Sequence, residues 1–277
     1  MTSGTLITVA PTGAESSKAD VPPLPVTLDE LVTTAKECEA LGASVIHVHI
    51  RDASFAPTLD LGRLKETVAA LRESTNLIVQ LSTGGSVHDP EGDRVAVLGA
   101  APDMASCTMG TVNFGEDVFM NRWEFIISLH VSMQELGIVP EYEIFDLGQL
   151  WTLQRLLDKY GLPVGGHVHV DFVMGVPGGM PGTLAALASC QAALHDLPPG
   201  TTFSATGVGR FTLPVMLASL ASGGHLRVGM EDTITYAKGQ PVESNMQLVA
   251  RAVAFARLAQ RPPITPAEAK DLLGIKG

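Results

Sequence analysis

The feature that most constrains the fold is an alternation running the length of the chain. Short apolar runs of strand length are each followed by an amphipathic segment of helix length. The runs cover 6–10, 44–50, 77–81, 104–107, 138–145, 164–172, 202–206 and 225–228. Between them, Thr27 with Glu30 forms a capping box that opens a helix ending at Leu41-Gly42, where glycine is the usual stop. Further helices are expected over 61–72, 91–98, 116–136, 147–160, 183–195, 213–221 and 243–261, and Thr265-Pro266 opens a short last one. Eight strand-then-helix units over about 250 residues is the count of a (β/α)8 TIM barrel. The competitor is a doubly wound open sheet, but no G-x-G-x-x-G follows the first strand. We therefore expect an α/β chain folded as one barrel domain over 1–277, with a helical C-terminal extension from about residue 243.

Apolar residues make up 45% of the chain and charged ones 17%, enough for a large core. The formal charge of −11 argues against nucleic acid or an anionic membrane as a partner. It leaves room for a small anionic substrate held by a few local arginines. Cys38, Cys107 and Cys190 are scattered without metal or redox spacing, which suits a reduced, cytoplasmic setting. Met1-Thr2-Ser3-Gly4 opens neither a basic region nor an apolar run, so no signal peptide is expected. No segment has the roughly twenty uninterrupted apolar residues of a membrane span.

In a barrel, the carboxyl ends of the strands converge on one face, and the active site sits there. Polar residues of this chain recur at those ends: Glu15; His47, His49, Arg51 and Asp52; Ser82 to Gly85; Ser106 and Thr108; Glu143 and Asp146; Arg227, Glu231 and Asp232. Within Val45-Ile46-His47-Val48-His49, the two histidines are two apart, so on a strand they share a face and make half of a metal site. The third ligand should be an acid on the same rim, and Glu231 is the best placed. In Arg227-Val228-Gly229-Met230-Glu231-Asp232, the glycine allows the backbone to turn sharply beside a ligand.

Together these pieces resemble the β-keto acid cleavage enzymes, the family that includes 3-keto-5-aminohexanoate cleavage enzyme. The matching stretches are 11–15, 47–52, 82–85, 110–114, 140–146 and 225–232, and His-x-His-x-Arg-Asp with Arg-Val-Gly-x-Glu-Asp in that order is the specific part. The resemblance implies a Zn2+-dependent homotetramer that takes a β-keto acid and acetyl-CoA to acetoacetate and a new acyl-CoA. It implies His47, His49 and Glu231 as zinc ligands, Asp232 as base and Arg227 as its partner. It further implies Ser82 and Gly85 as contacts to the substrate carboxylate, Thr108 as another substrate contact, and Glu15 and Glu143 as pocket acids that orient substrate or move protons.

Some motifs are not absorbed by the resemblance. A second His-x-His, His167 and His169, reads as a structural or pocket-lining pair, and could shape the substrate end of the pocket. The glycine-rich 177–182 loop lacks the Lys-Ser/Thr of a phosphate loop and reads as a rim for CoA or a partner subunit. Cys107 has no matched base and reads as packing. Two rival functions remain at this stage. An amidohydrolase-type metal hydrolase would place its His-x-His on the first strand, whereas here it is on the second. A metal- or acyl-CoA-binding regulator would need the ligands but not Asp232 and Arg227.

Overall fold

The structure, a computed structural model, describes residues 4–276; Met1 to Ser3, part of the stretch read as lacking a signal peptide, and Gly277 lie outside the described residues. Eight parallel strands close into a barrel in consecutive order. They are β1 (Ile7–Val9), β2 (Val45–Val48), β3 (Ile78–Leu81), β4 (Met104–Thr108), β5 (Val139–Ile144), β6 (His169–Met174), β7 (Thr202–Gly207) and β8 (His225–Val228). Around them lie α1 (Leu28–Leu41), α2 (Leu61–Ser74), α3 (Glu91–Ala96), α4 (Trp123–Leu136), α5 (Gln149–Tyr160), α6 (Leu184–Ala193), α7 (Thr212–Ala221) and α8 (Asn245–Leu258), followed by α9 (Pro266–Leu273). The Thr27–Glu30 capping box is present, and a second one, Thr265 with Glu268, opens α9. Among the described residues, no helix is long and apolar enough to cross a membrane.

The period of two along each strand divides the barrel into an apolar outside and a polar inside. Ile46 and Val48 of β2 point outward and pack with Leu31 and Ala35 of α1 and Leu64 and Val68 of α2. Tyr142 and Ile144 of β5 pack outward against Leu129 of α4 and Leu153 of α5. Burying each such side chain contributes about 1.5–3 kcal/mol, so the sheet–helix layer carries the stability. The alternate residues face inward, and above the lowest layer many are polar: Thr8, His47, Gln80, Ser106, Glu141, Asp171, Ser204 and Arg227 are all buried. Most TIM barrels fill this space with branched aliphatic side chains. Here the aliphatic filling is confined to the amino-terminal end, where Leu6, Val45, Ile78, Met104 and Val139 form a floor closed by Ala269 and Leu273 of α9.

Two expected elements are corrected. The helix expected over 116–136 begins only at Trp123. Before it, Val112–Phe114 and Asp117–Phe119 pair as an antiparallel hairpin, turned at Gly115, whose φ of 65° suits glycine. The sixth strand, expected from 164, begins at His169, because Gly165 and Gly166 take φ of 79° and 75° and break the extended chain. That correction also settles the place of the second His-x-His. His169 is the first residue of β6, at the end of the barrel opposite the polar rim, so the pair does not shape the substrate end. Both rings are tied down instead: His167 Nε2 to Thr202 Oγ1 at 2.7 Å, His169 Nδ1 to the same hydroxyl at 2.8 Å, and His169 Nε2 to Ser204 Oγ at 3.1 Å.

Candidate active site

A cavity of about 240 Å³ opens at the carboxyl ends of the strands. Its wall brings together Glu15, His47, His49, Ser82, Gly85, Glu143, Arg227, Glu231 and Asp232. The opposite wall is apolar, built from Phe114 and Phe119 of the hairpin, Phe145, Val173, Val176 and Val208.

His47 and His49, stacked along β2 and just past its end, present Nε2 at 3.7 Å and 3.5 Å from Glu231 Oε1. One ligand atom from each of the three lies within 4.8 Å of the others. Glu231 Oε2 is buried and has no hydrogen-bond partner, an orphan that a bound cation would satisfy. Burial pushes the His47 pKa down to about 3, helped by the Arg227 charge, so its ring is neutral. Burial alone would raise the Glu231 carboxyl, but Arg227 and the two histidines hold it well below its usual range. Two nitrogens and one oxyanion is the donor set of a divalent metal with an open position. These residues therefore fit the metal that the motif implied.

Glycine makes the approach of the third ligand possible. A Cβ on Gly229 would lie 1.8 Å from the Ala10 carbonyl oxygen, so only glycine lets β8 run this close to the end of β1. The reason is close approach rather than an unusual φ. Gly13, at φ 64°, packs its bare Cα against Glu231, where a Cβ would sit 2.7 Å from Cγ. The loop carrying Gly13 is braced from below by Arg51, which donates to the carbonyls of Gly13 and Ser16 at 2.7 and 2.9 Å. Glu15 rides on that loop at the exposed mouth of the cavity. Asp52 faces away and organises its own turn, accepting from Ser54 and Ala56.

Arg227 is the electrostatic centre. It grips Asp232 with two bonds, Nε to Oδ2 at 3.2 Å and an Nη to Oδ1 at 3.0 Å. It also bonds Glu231 and stands 3.5 Å from Glu143 Oε1. Burial would lower its pKa, but the surrounding acids hold it well above the usual value. Burial pushes Asp232 up to about 7, against the pull of Arg227, which leaves a carboxylate of unusual basicity facing the cavity. Burial raises Glu143 as well. Thr108 stands behind Glu143 and donates to its Oε2 at 2.7 Å.

The turn after β3 lines the cavity with Ser82, Gly84 and Gly85. Ser82 Oγ donates to the Gly84 carbonyl at 2.8 Å and accepts from the Gly84 N–H at 3.2 Å. The Gly85 N–H has no acceptor among the described residues. A Cβ at Gly85 would collide with Asp89 and Leu59. Arg94 fixes this turn to the hairpin, and sequence reasoning missed it. Fully buried, it donates to the carbonyls of Thr83 and Met120, each at 2.7 Å, and to Asn121 Oδ1 at 2.6 Å. Its guanidinium also stacks between Phe119 and Phe125. A single arginine in a short helix carries no local signal of such a role. The glycine-rich 177–182 loop packs on the same hairpin: the Gly115 N–H donates to the Pro177 carbonyl at 2.9 Å. Cys107 is buried and pushed up to about 12 by burial, an inert packing thiol.

A closed (β/α)8 barrel with a polar interior and a His-His-Glu cluster beside an Arg–Asp pair belongs to the enzymatic class of barrels. The sequence profile of the beta-keto acid cleavage enzyme family matches residues 5–275, and the chain belongs to that family. It is 38% identical over 276 residues to the 3-keto-5-aminohexanoate cleavage enzyme of Acetoanaerobium sticklandii, covering 98% of both chains. It is 33% identical to the 3-oxoadipate:acetyl-CoA acetyltransferase of Cupriavidus necator, covering 99% of this chain and 96% of that one. Among solved structures, an apo structure of ObcA superposes with a TM-score of 0.78 at 18% identity. That match covers 92% of this chain and 66% of the ObcA chain, and it speaks to the fold alone.

Proposed function

We propose that the chain is a transferase that exchanges the acyl part of a β-keto acid with acetyl-CoA, giving acetoacetate and a new acyl-CoA. The observation that carries this reading is the meeting, in one cavity, of a metal-ligand set with a buried acid that Arg227 grips through two bonds and burial raises. A base near neutrality is what carbon-acid chemistry needs. His47, His49 and Glu231 would hold a divalent ion, zinc in our reading, which supplies Lewis-acid polarisation of the substrate's carbonyl oxygens when bound.

In this reading the Ser82–Gly85 turn receives the substrate carboxylate. Asp232 takes a proton from the carbon between the two carbonyls, and Arg227 orients it and offsets its charge. That carbon attacks the acetyl thioester and CoA leaves as the thiolate. The thiolate then adds to the original ketone, the bond between the old C2 and C3 breaks, and Asp232 returns its proton to acetoacetate. Glu143, steadied by Thr108, and Glu15 at the mouth orient substrate and help move protons. The reading includes a cytoplasmic homotetramer.

The test is turnover of a panel of β-keto acids by zinc-loaded protein, with and without acetyl-CoA, following acetoacetate and acyl-CoA by mass. Turnover without acetyl-CoA would sink the reading in favour of hydrolysis. Glu231→Gln should lose the metal, while Asp232→Asn should keep it and lose about 10²–10⁴-fold in rate. A fully active Asp232→Asn means another group is the base.

A further inference from the structure

Directly below the rim, His47 meets Gln80. The two are paired across the β2–β3 ladder and both are buried. His47 Nδ1 lies 2.5 Å from Gln80 Oε1. A carboxamide oxygen can only accept, so the ring proton sits on Nδ1 and Nε2 is left as a bare lone pair facing Glu231. We propose that Gln80 is a positioning residue of the metal centre, whose carboxamide sets the tautomer and the orientation of the His47 ring. The inference rests on His47, His49 and Glu231 being metal ligands, and adds the group that readies one of them.

The carboxamide could do the opposite if it were turned over. Its NH2 would then point at Nδ1, the ring proton would move to Nε2, and the metal-facing nitrogen would be lost. In the structure it is Oε1 that faces Nδ1, and Gln80 Nε2 has no hydrogen-bond partner among the described residues. Glu141, farther down, is fully enclosed in the barrel, where burial and Asp171 raise its pKa. Glu141 Oε1 likewise has no hydrogen-bond partner among the described residues. Glu141 Oε2 in turn stands 3.6 Å from His169 Nε2, whose ring Thr202 and Ser204 hold still. Buried polar side chains thus run down the barrel interior, His47 on Gln80 at the top and Glu141 beside His169 at the bottom. The second His-x-His stands at their foot.

An imidazole ligand whose other nitrogen loses its partner typically loses about 10–100-fold in metal affinity. Gln80→Leu keeps the volume and removes the acceptor. We expect its zinc dissociation constant, measured by chelator competition, to rise by about that factor, while the apo melting temperature shows it still folds. In parallel, 15N NMR of the apo wild type should find the His47 proton on Nδ1, a measurement that stands even if the variant fails to fold. A wild-type ring protonated on Nε2, or Gln80→Leu binding zinc as tightly as wild type, overturns the role of Gln80. Wild-type protein that takes up no zinc overturns the metal reading, and the inference with it.

Discussion

Arg227→Met tests the electrostatic centre most directly. The guanidinium is buried and touches Asp232, Glu231 and Glu143, so its loss removes the one arginine that these three enclosed carboxyl groups share. Removing one partner of a buried ion pair costs about 3–5 kcal/mol. For a domain of this size each kcal/mol moves Tm by about 2–4 °C, so the metal-free variant should melt roughly 6–20 °C below wild type. A divalent ion would put two positive charges where one was removed. Added zinc should therefore raise the Tm of the variant more than that of wild type, by mass action on the folded state. Differential scanning calorimetry on chelated protein, then with zinc, reads both. An apo variant within about 2 °C of wild type would show that the three acids neutralise themselves by taking up protons, and the picture of Arg227 as their counter-charge would be wrong.

Two further perturbations reach the interior and the floor. Burial and Asp171 lift Glu141 to about 8 from an ordinary 4.5, so the folded protein holds a proton that the unfolded chain releases. Its contribution is fully present below pH 4.5 and lost as pH rises through 8. Denaturant midpoints of the apo protein should fall across that window, and Glu141→Gln should flatten the fall; parallel curves would refute the assignment. Leu273→Ala removes a buried side chain from the floor and should cost about 2–5 kcal/mol by urea titration. A loss below about 1 kcal/mol would mean that α9 rests on the barrel without sealing it.

Much of this molecule was legible in its sequence because strands buried on both faces read as plain apolar runs. The eight runs mark the eight barrel strands, and of the polar residues at their carboxyl ends Glu15, His47, His49, Ser82, Glu143, Arg227, Glu231 and Asp232 line one cavity, while Asp52 and Asp146 do not. The hairpin at 112–119 was misread because Glu116 and Asp117 look like the acidic first turn of a helix; Gly115 between two short alternating runs was the contrary signal. Gly165-Gly166 likewise marked the true start of β6. The polar interior was harder. Gln80 and Glu141 sit in runs that hydropathy scores as core, and nothing local says that alternate residues face a barrel axis. The spacing of Ile78, Gln80 and Ser82 did put Gln80 on the same face as the turn at 82–85, and Glu141 with Glu143 repeats that pattern. Arg94 had no such pattern, since its partners come from two distant loops.

The aliphatic floor has a consequence for solvent traffic. Among the described residues, Leu6, Val45, Ile78, Met104 and Val139 with α9 fill one end of the barrel with aliphatic side chains. Water, substrate and protons meet the polar interior through the cavity at the other end. Once a substrate fills that cavity, any carboxyl inside that has taken a proton is cut off from bulk water. A helix that touches none of the reacting atoms thus decides whether a proton stays with its own molecule or is traded with the solvent.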